Sequence, residues 1–190
     1  MNADLQQLIA GEKPYILVGC DELPPEAVLL PGSFNPFHAG HDALLRAAEK
    51  TSGRMGLLEL SVVNVDKPPL NPSEVRRRLM QFNGDYCAVL TCAPTFIEKA
   101  ELFPGFWFAM GYDTALRLLS PHYHADVPAM LTHFRSMGTR FIVAGRLHNG
   151  LFQGVAQLNI PPGYEDLFIP IPEEVFREDI SSTLLRNKGV

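Results

Sequence analysis

Apolar positions cluster in short blocks separated by stretches in which apolar and polar residues recur at helical spacing. The blocks at 27–30, 57–63, 86–91, 106–110 and 141–144 are bounded by Gly, Pro, Asn and Ser, and they read as buried strands. Helix formers fill 42–50, 74–82, 95–102, 112–119 and 127–137 between them. A short helix at 3–10 stops at Gly11, and another at 181–187 closes the chain. Leu23-Pro24-Pro25 breaks structure before the first strand, Ser52-Gly53 and Asn83-Gly84 end helices, and Pro68, Pro69 and Pro72 mark a loop. The stretch 147–170 is irregular and rich in Pro and Gly, and it reads as an insertion. Strands alternating with helices predict an α/β fold: a three-layer, doubly wound, Rossmann-like parallel sheet. There is no repeat or linker, so residues 1–190 form one domain, with 1–26 as an N-terminal extension.

Composition narrows the class. A chain of 190 residues with 46% hydrophobic and 19% charged residues is long enough to bury about 70% of its unfolded surface without staples. Its net charge is −5 and neither half is basic, which argues against a nucleic-acid partner. No apolar run approaches the length that spans a bilayer, and the first residues lack a basic region followed by an apolar core. Cys20, Cys87 and Cys92 are odd in number and show no paired spacing. That count suits a reducing compartment, with Cys87 and Cys92 as buried free thiols, so a cytoplasmic protein is expected.

The candidate chemistry begins at the end of the first confident strand. Pro31-Gly32-Ser33-Phe34-Asn35-Pro36-Phe37-His38-Ala39-Gly40-His41 joins a small-residue turn, two imidazoles and a helix start. Gly32 and Ser33 allow backbone to approach a ligand, and N–H groups at a helix N-terminus favour phosphate oxygens. His38 and His41 lie three residues apart and share a helical face. Two readings compete: hydrogen-bond donors to a reacting phosphoryl group, or part of a zinc site. No third metal ligand has convincing spacing, so no protein metal site is expected.

A second cluster lies near the other end, in Asp179-Ile180-Ser181-Ser182-Thr183-Leu184-Leu185-Arg186. Ser181 or Ser182 suits an N-cap, and Arg186 stacks on the face that carries Ser182 and Thr183. The same residues read as an anion site or as a plain capped helix with a solvated Arg.

Together the two clusters resemble the HxGH nucleotidyltransferase superfamily. His38-Ala39-Gly40-His41 matches its first signature, and Ile180 to Arg186 is similar to the ISSTxxR signature of the nicotinamide/nicotinate mononucleotide adenylyltransferase branch. Met110-Gly111-Tyr112-Asp113 resembles the Gly-x-Asp segment that follows a central strand there. The resemblance implies an enzyme of NAD biosynthesis that transfers AMP from ATP, carried with Mg2+, to a mononucleotide 5′-phosphate and releases pyrophosphate. It implies His38, His41 and Arg186 as catalytic residues. Gly32, Ser33, Phe34, Gly111, Asp113, Arg146, Ser181, Ser182 and Thr183 would bind the nucleotide, and Lys67, Thr95 and Trp107 the acceptor. Each of these has a plainer reading, such as an N-cap for Asp113, a surface residue for Arg146, a solvated loop lysine for Lys67 and core for Trp107. Of Arg76, Arg77 and Arg78, which fan around a helix, one or two can reach the site, and Arg78 holds the family-like place.

The sequence departs from the family where Pro31-Gly32 stands for Gly-Gly, Asn35 for a common Asp, and in the unfamiliar blocks 63–69 and 93–99. These leave the acceptor open, so a cytidylyltransferase, an adenylyltransferase for another phosphate monoester, and a catalytically silent nucleotide-binding regulator remain as alternatives. The expected partners are ATP and a small phosphorylated acceptor, with no membrane; self-association is left open.

Overall fold

The computed structural model describes residues 2–63, 68–148 and 151–176. In chain order the elements are α1 (Asn2–Ile9), β1 (Tyr15–Val18), β2 (Ala27–Pro31), α2 (Ala39–Ser52), β3 (Met55–Ser61), α3 (Pro72–Met80), β4 (Ala88–Thr91), α4 (Phe96–Leu102), β5 (Trp107–Gly111), α5 (Tyr112–Leu118), α6 (Val127–Ser136), β6 (Phe141–Ala144), β7 (Arg146–His148), β8 (Leu151–Gln153) and β9 (Phe168–Ile171).

Seven strands form one sheet in the order β1-β4-β3-β2-β5-β6-β9. Neighbours are parallel except β1, which runs antiparallel to β4 at the edge. Apart from Glu59, Ser61 and Thr91, the inner strands are apolar on both faces, as a sheet covered on both sides requires. Side-chain alternation sends Leu29, Leu57, Val89 and Phe108 to one core with Ala100, Ala115, Leu131 and Phe134, beneath α4, α5 and α6. It sends Val28, Leu30, Leu58 and Leu90 to a second core with Leu5, Leu45 and Leu79, beneath α1, α2 and α3. The protein is therefore a three-layer, Rossmann-like α/β fold. Successive strands step outward from β2 through β3 to β4, then from β5 through β6 to β9. The winding reverses between β2 and β5, and the crevice beyond their C-terminal ends is where such sheets bind ligands.

Helix boundaries follow local chemistry. Asn71 caps α3 by accepting the Glu74 N–H at 2.9 Å, with Pro72 in its first turn. Gly53 ends α2 at φ 68°, a left-handed C-cap. The first crossover helix begins at Ala39, three residues before the predicted start, which places His38 at its N-cap.

Three expectations are corrected. Cys20 and Cys87 are joined in a disulfide with Cα atoms 5.2 Å apart, so Cys87 is not a free thiol, and the cysteines no longer argue for a reducing compartment. The pairing of Val18 with Ala88 brings the two together across 67 positions of sequence. Among the described residues Cys92 is the free cysteine, and burial pushes its thiol pKa up. The stretch 147–170 contains the β7–β8 hairpin and the start of β9. Pro170 masked β9, and the strand tolerates it by lying at the sheet edge opposite Val143. β1 also escaped prediction, being four residues long. The closing helix expected at 181–187 lies outside the described residues. No described helix is long and apolar enough to cross a membrane.

Phe108 on central β5 is fully buried and packs edge-on against Phe96, with ring centroids 5.4 Å apart. Phe108→Ala should cost about 3–5 kcal/mol of stability through the cavity it leaves, measured by urea unfolding.

Candidate active site

The loop leaving β2 is built by two buried contacts. The Gly32 N–H donates to the Glu59 carbonyl at 3.0 Å, extending the β2–β3 pairing by one residue. The chain then turns at Phe34, whose φ of 45° is left-handed, and the Asn35–Pro36 peptide is cis. The Phe34 ring folds back beneath the turn and is fully buried. A Cβ on residue 32 would lie 2.5 Å from that ring, so only glycine fits there. Phe37 and Phe82 meet the Phe34 ring edge-on at 5.8 and 5.4 Å.

The end of α3 clamps this loop. Gln81 donates from Nε2 to the Phe34 carbonyl at 2.9 Å and accepts the Phe37 N–H on Oε1 at 2.9 Å. Arg78 donates to the Ser33 carbonyl at 2.8 Å, and Arg77 to Asn35 Oδ1 at 2.5 Å. Glu74 grips both guanidiniums, which hold its carboxyl at about 2. The Ser33 and Phe34 carbonyls are thus committed to α3. Their N–H groups make no hydrogen bond among the described residues, and beside them lie the open N–H groups of the first turn of α2.

His38 sits at the N-cap of α2 in extended backbone, and its N–H donates to His41 Nδ1 at 3.2 Å. The two rings stack with centroids 3.8 Å apart. Phe37 stacks on His41 at 5.5 Å, and Phe34 meets it edge-on at 5.1 Å. Burial, helped by neighbouring His38, pulls the His41 pKa down to about 3. His41 is therefore a neutral imidazole at physiological pH. Its Nδ1 accepts, which assigns the proton to Nε2 and makes that atom a neutral donor. Among the described residues no group of three or more His, Cys, Asp or Glu side chains is placed to hold a metal ion.

Across the switch point, Gly111 is the N-cap of α5, with open space where a Cβ would be. Asp113 lies in the first turn of α5 and pairs with Arg146, which begins β7 just beyond β6. The two loops that flank the crevice thus carry a neutral imidazole donor, free N–H groups and one exposed ion pair.

A family model described as cytidylyltransferase-like matches residues 29–188. The chain belongs to that family. Membership supports a nucleotidyltransferase activity in general terms. No curated protein matches the chain. The matched span of this cytidylyltransferase-like protein includes both histidines and the Ser181–Ser182–Thr183–Arg186 cluster. That cluster and Lys67 lie outside the described residues.

The other expected residues fall in different places. Gly32, Ser33, Phe34, His38 and His41 share the β2 loop, but Phe34 contributes a buried anchor, with its carbonyl taken by Gln81. Thr95 follows β4, two strands from β2, and its hydroxyl caps α4, donating to Glu98 Oε2 at 2.6 Å. Trp107 is a correction. It begins β5 rather than ending it, paired with Val28, so it lies at the end of the sheet opposite Gly111 and cannot line the acceptor side of this crevice. The acceptor role came from the family resemblance alone, and the place of Trp107 at the start of the block 106–110 already set it against that role.

Sequence reasoning missed Gln81, which lies within the predicted helix 74–82 and which the structure places just past the end of α3, as its C-cap. It also missed a buried charge cluster beside the loop. Thr91 Oγ1 and Lys99 Nζ both donate to Glu59 Oε1, at 2.6 and 2.9 Å, and Lys99 also reaches the Ala93 carbonyl at 2.5 Å.

Two outcomes test this geometry. Gln81→Met removes both loop hydrogen bonds at similar volume. It should cost about 1–3 kcal/mol and accelerate hydrogen exchange at the Phe37 amide. His41 titrates at about 3 when folded, against an ordinary value of 6.5. As pH falls between those values the unfolded chain takes up a proton that the folded chain refuses. Stability should drop by up to about 1.4 kcal/mol per pH unit. Urea midpoints measured from pH 7 to 4 should fall more steeply for wild type than for His41→Asn.

Proposed function

We propose that this cytidylyltransferase-like protein transfers an adenylyl group from ATP to the 5′-phosphate of nicotinamide or nicotinate mononucleotide. The observation that carries the reading is the neutral, Nε2-protonated His41, beside His38 at the start of α2 and at the switch point of the sheet. The resemblance of 180–186 to the mononucleotide adenylyltransferase signature favours this donor and acceptor.

An acceptor phosphate oxygen attacks the α-phosphorus of ATP in line. The new P–O bond forms as the bond from the α-phosphorus to the bridging oxygen breaks, and pyrophosphate leaves with that electron pair. No enzyme nucleophile is required, so catalysis comes from positioning and from stabilising charge on the phosphoryl oxygens. His41 Nε2–H and the His38 ring donate to the α-phosphoryl group, and the Ser33 and Phe34 N–H groups support the same chain. Ser181, Ser182, Thr183 and Arg186 hold the leaving β- and γ-phosphates. Gly111 gives the nucleoside room, Asp113 accepts from its hydroxyls or base, and Arg146 turns to a phosphate. Lys67 and Thr95 are assigned to the acceptor by the resemblance. Mg2+ arrives with the triphosphate as part of the substrate and neutralises its charge.

The same geometry serves CTP or another phosphate monoester, and the family's description keeps a cytidylyl donor in the comparison. Pyrophosphate release should therefore be measured for ATP and CTP against nicotinamide mononucleotide, nicotinate mononucleotide and simple phosphate monoesters. ATP with a pyridine mononucleotide should be fastest, and His41→Ala should lower kcat about 10²–10³-fold with the fold kept by circular dichroism. Faster turnover with CTP would move the donor. Tight ATP binding without product for any acceptor would indicate a regulator. Wild-type turnover in His41→Ala would overturn the mechanism.

A further inference from the structure

The opposite end of the sheet carries a second concave site. A cavity of about 330 Å3 is lined by Arg54, Trp107, Arg135, Thr139, Arg140 and Asp166, among others. Arg54 leads into β3, Trp107 begins β5, and Thr139 and Arg140 lead into β6. The cavity therefore sits at the N-terminal ends of the parallel strands, and the histidines lie at the C-terminal ends.

Three guanidiniums converge there in a chain whose net charge is −5. Two are partly answered. Arg54 donates to the Gly105 carbonyl at 2.6 Å and lies 3.4 Å from Glu26, and Arg135 pairs with Asp166 and reaches the Gly163 carbonyl at 2.7 Å. Arg140 is exposed and forms no ion pair among the described residues. Its guanidinium lies 5.2 Å from the centroid of the Trp107 ring, and that of Arg54 lies 4.1 Å from it. The ring thus serves as a platform for cations, an arrangement that favours a small anion over a planar base.

A second observation points the same way. Thr139 is fully buried, lines the cavity, and among the described residues its hydroxyl has no hydrogen-bond partner. A buried hydroxyl without a partner is costly, and a ligand oxygen would satisfy it.

We propose that this cavity binds a small, multiply charged oxyanion of phosphate type. Arg140 and Arg54 supply paired donors, Thr139 supplies a hydroxyl, and Asp166 on the rim disfavours ligands too large to avoid it. The site is separate from the histidine crevice, and the proposal does not depend on the nucleotidyl-transfer reading.

The chain contains one tryptophan, so intrinsic fluorescence reports on this cavity directly. Inorganic phosphate, pyrophosphate and glycerol phosphate should be titrated in turn at constant ionic strength maintained with KCl. A saturable change in Trp107 emission is expected, tighter for pyrophosphate than for phosphate. Binding of glycerol phosphate would assign the site to esterified phosphoryl groups as well, and its rejection would assign it to the free ion. Arg140→Gln alters an exposed side chain and should weaken binding about tenfold or more. Thr139→Val keeps the shape, removes the hydroxyl, and should weaken binding several-fold; it tests the site independently. His41→Ala should bind as wild type does. An unsaturable response, one matched by KCl, an unchanged affinity in both cavity variants, or loss of the response in His41→Ala would overturn the proposal.

Discussion

The burial of Phe34 beneath the β2 turn is the contact on which the rest of the site depends. The residue takes a left-handed backbone, φ 45°, which costs a non-glycine residue about 1–3 kcal/mol. Complete burial of its ring returns about 1.5–3 kcal/mol, which offsets that cost, and the hydrogen bonds from α3 hold the turn in place. Everything nearby follows from that ring. Position 32 must be glycine because the ring occupies the space of a Cβ. The carbonyls of 33 and 34 turn toward α3, where Arg78 and Gln81 take them. The chain then enters α2 at His38, which becomes the N-cap and sets the stacking of the two imidazoles.

The same aromatic packing sets the proton state of the site. Phe34 and Phe37 desolvate His41, and His38 adds like-charge repulsion, so the ring stays neutral far below its ordinary pKa. An approaching phosphate brings the opposite charge and raises that pKa again. The imidazole thus gains proton affinity as negative charge accumulates beside it. A permanently charged side chain would bind the ground-state phosphates as strongly as the transition state, and such uniform binding does not speed the chemical step.

The sequence disclosed what is local. Apolar blocks and Gly/Pro punctuation marked β2 to β6 and the crossover helices, and the run 31–41 identified the turn, because each signal spans only a few neighbouring residues. Features that need partners were hidden. β1 and β9 are four-residue edge strands, and Pro170 in β9 argues against a strand until its edge position is known. The Cys20–Cys87 bond depends on the register of β1 against β4. Trp107 was given an acceptor role on resemblance alone, although its place at the start of the block 106–110 puts it at the end of the strand away from Gly111. Gln81 gave no sign, since its two hydrogen bonds reach 44 and 47 positions back along the chain.

Burial divides the charges around the crevice into two kinds. Glu59 and Lys99 are almost wholly buried, with side chains 1% and 5% exposed. Removing one partner from such a pair leaves a desolvated charge and costs about 3–5 kcal/mol. Their interaction therefore belongs to the scaffold and holds α4 against the strand beside the β2 loop. Asp113 and Arg146 are 59% and 43% exposed, and a pair in that setting contributes about 0–1 kcal/mol. A ligand can separate them at little cost and engage both groups, the carboxylate through hydroxyl or amine donors and the guanidinium through phosphate oxygens. Before a ligand arrives, each neutralises the other across the mouth of the crevice. Charges available for exchange thus lie at the switch point, and those that cannot be exchanged lie one strand away, under the loop they support.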